Sequence, residues 1–135
     1  MRSPRHSAKR PLGRGTIGCG VDVVELTRFR QAVARGGRKF LQRIFTAAEE
    51  RYAAARKRTT MLHLAGRFAA KEAVIKAVSQ VDPKRPLAMK QVEIRNDHLG
   101  RPHVTLHDGR RNRLHIHISL SHVKSVAVAS AIAIR

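Results

Sequence analysis

The segment Arg67-Phe-Ala-Ala-Lys-Glu-Ala-Val-Ile-Lys76 has the spacing of a helix that packs on one side and carries charge on another. At about 3.6 residues per turn, Leu64 and Phe68 lie on its apolar side. Glu72 and Lys76 are one helical turn apart and project together from a different side. A carboxylate can hold a hard cation, and an ammonium beside it can balance a phosphate that shares the cation. The pair suggests phosphate chemistry, although a surface ion pair worth roughly 0.3 kcal/mol has the same spacing.

The segment Thr16-Ile-Gly-Cys-Gly-Val-Asp-Val-Val-Glu25 alternates as a β-strand does. One face is apolar and consists of Ile17, Cys19, Val21 and Val23. Gly18 and Gly20 lie on the other face and leave room for a ligand or another backbone to come close. Asp22 follows them on that face, so it is either a metal ligand facing an open slot or a solvated acid at a strand end. The thiol of Cys19 is predicted to be buried and inert.

A second alternating segment ends in hydroxyl and imidazole groups. Its apolar positions are Leu114, Ile116, Ile118 and Leu120, and its polar positions are His115, His117, Ser119 and Ser121. His122 follows directly, so polar groups gather at the end of this predicted strand.

Three motifs are present in the chain: Gly18-Cys-Gly-Val-Asp-Val-Val-Glu25, Gly66-Arg-Phe-Ala-Ala-Lys-Glu-Ala-Val-Ile-Lys76 and Ser119-Leu-Ser-His122. In order and spacing they resemble the motifs of the bacterial holo-[acyl-carrier-protein] synthases, the short 4'-phosphopantetheinyl transferases. The resemblance runs from about Thr16 to Ile134. It implies an enzyme that transfers the phosphopantetheine arm of coenzyme A to a serine of apo acyl carrier protein and releases adenosine 3',5'-bisphosphate. Holo carriers of this kind serve fatty acid or polyketide synthesis.

The same resemblance implies roles for individual residues. Asp22 and Glu72 would hold a magnesium ion shared with the coenzyme A pyrophosphate and water, which suits an ion that typically takes one or two carboxylates. Lys76 would neutralise charge on the pyrophosphate. Coenzyme A would also contact Arg67, Ser119, Ser121 and His122. The group that deprotonates the attacking serine is left open among a metal-polarised water, Glu72 and His122.

The chain is strongly basic, with 28 lysines and arginines against 9 acidic residues and a formal net charge of +19. Residues 1–15 contain no acid and no periodicity, so they are predicted to be a disordered basic tail that precedes one transferase domain at 16–135. No apolar run approaches the ~20 residues that a transmembrane helix needs, and no apolar leader follows the basic start. These features predict a cytoplasmic protein.

A basic helix is predicted to follow the first strand, and by resemblance it docks the acidic acyl carrier protein. Its candidate docking residues are Arg28, Arg35 and Arg38. A positive surface would accelerate capture of an acidic partner. The alternative from composition is a small basic nucleic-acid-binding protein, but a chain with no tryptophan and one tyrosine offers few surfaces on which bases could stack.

The predicted class is α+β, an antiparallel sheet packed with helices in the 4'-phosphopantetheinyl transferase fold. Helices are expected at 26–36 before the Gly36-Gly37 break, at Thr46 to about Arg58 after a Thr46–Glu49 capping box, and at about Thr60 to Ser79. Strands are expected at 16–24, 91–95, 103–107, 114–121 and 125–134.

The last strand bears on assembly because both of its faces are apolar. Valine and isoleucine occupy one face, and Ala127, Ala129, Ala131 and Ala133 occupy the other. The larger side chains are expected to face the helices, and the alanine face is expected to meet another subunit. The related synthases are trimers with sites at subunit boundaries, so the resemblance implies a homotrimer.

Overall fold

The computed structural model describes residues 15–110 and 113–135, so the predicted tail lies outside the described residues except for Gly15. The α+β class is confirmed. The elements are β1 Ile17–Glu25, α1 Leu26–Ile44, α2 Ala47–Ala54, α3 Thr60–Val81, β2 Val92–Asn96, β3 Pro102–Leu106, β4 His115–His122 and β5 Val126–Ile134. A short 3-10 helix, Met89–Gln91, precedes β2. No helix within these residues is both long and apolar enough to cross a bilayer.

The strands form two antiparallel sheets. The larger has the order β1-β5-β4, which places the last strand in the middle, and the smaller pairs β2 with β3. The β2–β3 hairpin turns at Asp97, whose carboxylate accepts hydrogen bonds from the backbone amides of Leu99 at 2.8 Å and Arg101 at 2.9 Å. Gly100 adopts a φ of +80° in this turn, a conformation that favours glycine.

Helix α3 packs against β1 at the two strand glycines. A Cβ atom at Gly18 would lie 2.1 Å from the carbonyl oxygen of Ala77, and one at Gly20 would lie 2.1 Å from that of Ala73. The space left by the glycines is therefore filled by another backbone, one of the two possibilities that the sequence left open. This close packing brings the charged side of α3 alongside Asp22.

Two helix boundaries differ from the predictions. Gly37 has a φ of +58° and interrupts α1 where the break was predicted, but the helix resumes and continues to Ile44. The capping box is confirmed, since the side chain of Thr46 accepts from the amide of Glu49 and the Glu49 carboxylate accepts from the amide of Thr46. Helix α2 ends at Ala54, earlier than predicted.

The prediction for the two faces of β5 is wrong. Ala127, Ala129, Ala131 and Ala133 are buried on the side that faces α3, and Val128 and Ile132 are exposed on the other. Small side chains allow a helix to approach a sheet closely, so the alanine side receives the helix. The exposed face also contains Ile17, Val21 and Val23, whose exposed fractions are 64%, 58% and 62%. Cys19 is exposed on this face in the single chain, contrary to the predicted burial.

Candidate functional site

Asp22, Glu72 and Lys76 lie together where α3 crosses β1. The Lys76 ammonium donates to the Asp22 carboxylate at 3.1 Å and to the carbonyl oxygen of Val21 at 3.0 Å. Glu72, one turn earlier on α3, lines a cleft together with Asp22. Lys76 can reach β1 because Gly20 carries no side chain, as a Cβ there would lie 2.9 Å from the Cβ of Lys76.

The two carboxylates interact electrostatically. Desolvation by burial, and then the negative charge of Asp22, raise the pKa of Glu72, while Lys76 opposes the increase. Among residues 15–110 and 113–135, the Glu72 carboxylate has no hydrogen-bond partner. Its oxygens therefore remain available as acceptors in the cleft.

The donor set fits magnesium. Within the described parts of the chain, no three acidic, histidine or cysteine side chains cluster as metal ligands. The protein therefore offers two carboxylates here, and further ligands would come from water and a substrate. Magnesium is usually bound in this way, through one or two carboxylates plus phosphate oxygens. Asp22 and Glu72 are the residues that would hold it.

The cleft has a volume of about 540 Å³ and extends from the carboxylates along α1. Arg28 and Arg35 line it, and its apolar lining includes Phe29, Phe40 and Phe68. Arg38, the third predicted docking residue, does not line the cleft and forms an ion pair of 2.7 Å with Glu50. The basic and apolar groups thus meet the acidic pair in one continuous surface.

Arg67 and His122 belong to a different cluster, centred on Tyr52. The Arg67 guanidinium lies 3.8 Å from the centre of the Tyr52 ring, and the residue is 4% exposed. The Arg67 Nε has no hydrogen-bond partner among the described residues. The His63 ring lies 5.5 Å from the Tyr52 ring and 6.3 Å from the His122 ring, measured between ring centres. Burial, followed by the charges of Arg56, Arg67 and His122, lowers the pKa of His63.

The structure separates this cluster from the carboxylates within one chain. Strand β5 lies between β1 and β4, so His122 is two strands away from β1 at about 4.8 Å per strand. Ser119 and Ser121 are exposed on the outer face of β4, opposite Ser130 and Val128 of β5. The predicted residues therefore form two groups, one containing Asp22, Glu72 and Lys76 and the other containing Arg67 and His122.

Sequence reasoning missed Tyr52 and His63. His63 precedes Arg67 by one helical turn, so a search for polar pairs along α3 could have found it. Tyr52 lies on α2 and meets Arg67 only after the two helices pack, and no local spacing indicates that contact.

Comparisons with known proteins identify the family. The family model described as 4'-phosphopantetheinyl transferase superfamily matches residues 18–131. The Holo-[acyl-carrier-protein] synthase of Clostridium perfringens (strain SM101 / Type A) is 39% identical over 126 residues, covering 86% of this chain and 92% of the relative.

Solved structures show the same fold. The Chronobacterium ammoniagenes ACPS-CoA complex superposes with a TM-score of 0.76 and 29% identity, covering 88% of this chain and 97% of that one. A holo-(acyl-carrier-protein) synthase from Bacillus anthracis str. Ames, in complex with CoA (3',5'-ADP), gives a TM-score of 0.71 and 33% identity, covering 87% and 95%. The resemblance seen in the three sequence motifs is confirmed. This chain belongs to the 4'-phosphopantetheinyl transferase superfamily.

Proposed function

We propose that this chain transfers the 4'-phosphopantetheine arm of coenzyme A to a serine of an apo acyl carrier protein and releases adenosine 3',5'-bisphosphate. The observation that carries the proposal is the pairing of two carboxylates, Asp22 and Glu72, beside the ammonium of Lys76 in an open cleft. The relatives described above support the same reaction. They are a Holo-[acyl-carrier-protein] synthase and two solved structures, one in complex with CoA and one with CoA (3',5'-ADP).

Magnesium dependence is part of the proposal. Asp22 and Glu72 would hold the ion, which when bound supplies positive charge that stabilises the pyrophosphate as its bond breaks. Lys76 would contact a phosphate oxygen and add a second positive charge in the same place. The spare acceptor capacity of Glu72 supports this assignment, because a carboxylate already saturated by protein donors would bind a cation less readily.

The transfer exchanges one P–O bond for another. The serine hydroxyl of the carrier forms a bond to the phosphorus that carries pantetheine, and the bond from that phosphorus to the leaving nucleotide breaks with its electron pair. The serine proton then needs an acceptor. Glu72 is the residue proposed for this step, because it lines the same cleft as Arg28 and Arg35, where the carrier would dock.

The carrier protein is proposed to bind along α1. Arg28 and Arg35 would face its acidic surface, and the apolar part of the cleft, which includes Phe29, would receive an apolar side chain of the partner. Arg38 is already paired with Glu50, so we assign it a smaller share of the docking energy.

The nucleotide end of coenzyme A is proposed to bind at the Tyr52 cluster. Arg67 supports this because its Nε lacks a partner and its guanidinium is buried, a combination that favours an anionic ligand. His122 would complete that part of the site, whereas the contacts of Ser119 and Ser121 with coenzyme A stay a prediction, since both residues lie on the outer face of β4. This cluster lies two strands away from Asp22 on the larger sheet, about 10 Å at 4.8 Å per strand, a distance that an extended coenzyme A molecule can span.

We also propose a homotrimer that packs through the exposed face of the larger sheet. Val21, Val23 and Ile132 are large apolar residues with exposed fractions of 58%, 62% and 45%, a surface that a monomer rarely leaves open. Sedimentation equilibrium should give the mass of three chains for the native protein and a lower mass for Val23→Glu. The cytoplasmic location stays a prediction.

The test is mass spectrometry of an apo acyl carrier protein after incubation with this chain, coenzyme A and magnesium. We expect the carrier to gain one phosphopantetheine, and we expect a chelator to prevent the gain. The Asp22→Asn variant, which preserves the side-chain shape, serves as the matched control and should leave the carrier unmodified. An unmodified carrier with the native chain would contradict the proposal.

A further inference from the structure

The inference concerns Lys76 and rests on the proposed function. Both hydrogen bonds of its ammonium go to β1, one to the side chain of Asp22 and one to the backbone of Val21. The side chain of Lys76 is 50% exposed and that of Asp22 is 18% exposed. The ammonium therefore occupies one of the two Asp22 carboxylate oxygens, Oδ1, and remains half exposed.

The local charges explain why a cation is held there. Asp22 and Glu72 both line the cleft and carry like charges, which repel each other at short range. Lys76 is the positive group in contact with this acidic pair, through its ion pair with Asp22. Without a metal, its ammonium supplies the positive charge that the acidic pair requires.

A magnesium ion at the same carboxylates would compete electrostatically with this contact. An ammonium 3.1 Å from the Asp22 oxygen would lie close to a dication bound by that oxygen, and the two positive charges would repel each other. Lys76 can move, because its head group is half exposed and its four-carbon stem is flexible. A phosphate oxygen of coenzyme A would give the displaced ammonium a new partner.

We propose that Lys76 is an exchangeable counter-cation. It occupies Asp22 while the site is empty and transfers to the phosphate of coenzyme A when magnesium takes its place. Metal and coenzyme then bind cooperatively, since the coenzyme removes the competitor of the metal. A lysine that served only as a phosphate contact would have no effect on metal binding in the absence of coenzyme.

Removing the Lys76 charge should change the affinities for magnesium and for coenzyme A in opposite directions. Lys76→Met should bind magnesium alone about fivefold more tightly than the native chain, the scale of one partly exposed ion pair. The same variant should bind coenzyme A more weakly, because the phosphate loses its ammonium contact. Lys76→Arg retains the charge and should bind magnesium alone about as the native chain does.

The measurement is calorimetric titration of each folded variant with magnesium chloride, in the absence of coenzyme A. Lys84→Met is the matched control, since it removes the same charge from an exposed residue outside the cleft and reports the effect of net charge alone. Thermal unfolding gives a second readout, in which magnesium should raise the Tm of Lys76→Met more than that of the native chain.

The outcomes separate this inference from the proposed function. If the native chain fails to modify a carrier protein, the proposed function is wrong. If the native chain modifies the carrier and binds magnesium, but Lys76→Met binds magnesium no more tightly than Lys84→Met does, the exchange mechanism is wrong and the function stands. Tighter binding in Lys76→Met alone supports the exchange.

Discussion

Two ion pairs on helix α3 begin from lysines five positions apart and have opposite surroundings. Lys71 pairs with Glu49, and neither side chain is exposed to solvent. Lys76 pairs with Asp22, where the lysine is half exposed. Glu72, which follows Lys71 directly, faces the second pair. One turn of helix thus contributes both to a closed interior pair and to an open acidic site.

Glu49 and Glu72 differ in how many hydrogen-bond donors contact their carboxylates. Glu49 accepts hydrogen bonds from Lys71, from the amide of Thr46 at 2.9 Å and from the amide of Ile94 at 2.9 Å. It joins α2, α3 and β2 and has little remaining acceptor capacity. Glu72 has no such partners among the described residues. A saturated carboxylate holds the fold together, and an unsaturated one is available to a ligand.

The largest expected effect is on catalysis. Asp22→Ala and Glu72→Ala should each reduce kcat by about 10³-fold, since each removes a ligand of the proposed ion. The double variant should be little worse than Glu72→Ala alone, because that change already abolishes the ion and removes the proposed proton acceptor. Turnover assays across magnesium concentrations, with circular dichroism as the folding control, measure this. Multiplicative losses, or full activity in the presence of a chelator, would contradict the shared ion.

The next effect is on stability. Lys71→Met leaves the Glu49 carboxylate buried without its counter-charge and should lower the free energy of unfolding by about 3–5 kcal/mol. Lys76→Met, the matched change at the half-exposed pair, should cost about 1 kcal/mol or less. Urea denaturation measures both. Adding Glu49→Gln to Lys71→Met removes both charges and should recover part of the lost stability. Equal losses of stability for Lys71→Met and Lys76→Met would contradict the difference between the two ion pairs.

A smaller effect is expected from changing the close contact between Gly20 and α3, which brings Lys76 beside Asp22. Gly20→Ala places a methyl group against Ala73 and Lys76, so α3 must shift, at a cost of about 1–3 kcal/mol and with reduced turnover. Gly18→Ala has the same 2.1 Å overlap but next to Ala77 and Gln80, away from the charged residues. We expect the two variants to lose similar amounts of stability, and Gly20→Ala to lose more turnover than Gly18→Ala. Parallel losses of turnover would indicate that Gly20 only maintains the fold.

The smallest expected effect concerns the edge of the open site. Replacing Arg28 and Arg35 by glutamate should raise the KM for the carrier protein roughly tenfold, leave the KM for coenzyme A unchanged and weaken the salt dependence of capture. Arg43→Glu is the control, since it reverses one charge on the same helix outside the cleft. Equal increases in both KM values would instead assign these arginines to the coenzyme site or to folding.

Local features were predicted well. The capping box at Thr46 and Glu49 and the α3 helix follow from contacts between residues fewer than six positions apart. The strand bounds differ by at most one residue, whereas two helix ends differ by several residues: α1 continues past Gly37 and α2 ends at Ala54. Helix ends depend on how neighbouring elements pack, and local spacing does not report that.

The predictions failed where one pattern allowed two arrangements. Both faces of β5 are apolar, and side-chain size suggested that the valines and isoleucines would be buried against the helix. The structure buries the alanines instead, because the backbone of α3 also contacts Gly18 and Gly20 and only small residues permit so close an approach. The exposure of Cys19 follows from the same choice of face.

The sequence by itself determined the fold class, the family and the position of Glu72 and Lys76 on one side of a helix, because each depends on spacing along the chain. Only the tertiary structure decided that Asp22 meets that pair, that Glu49 is shared by three elements and that Arg67 stacks on Tyr52. These contacts join residues at least fifteen positions apart. Such contacts depend on how helices and strands pack, which a local pattern does not specify.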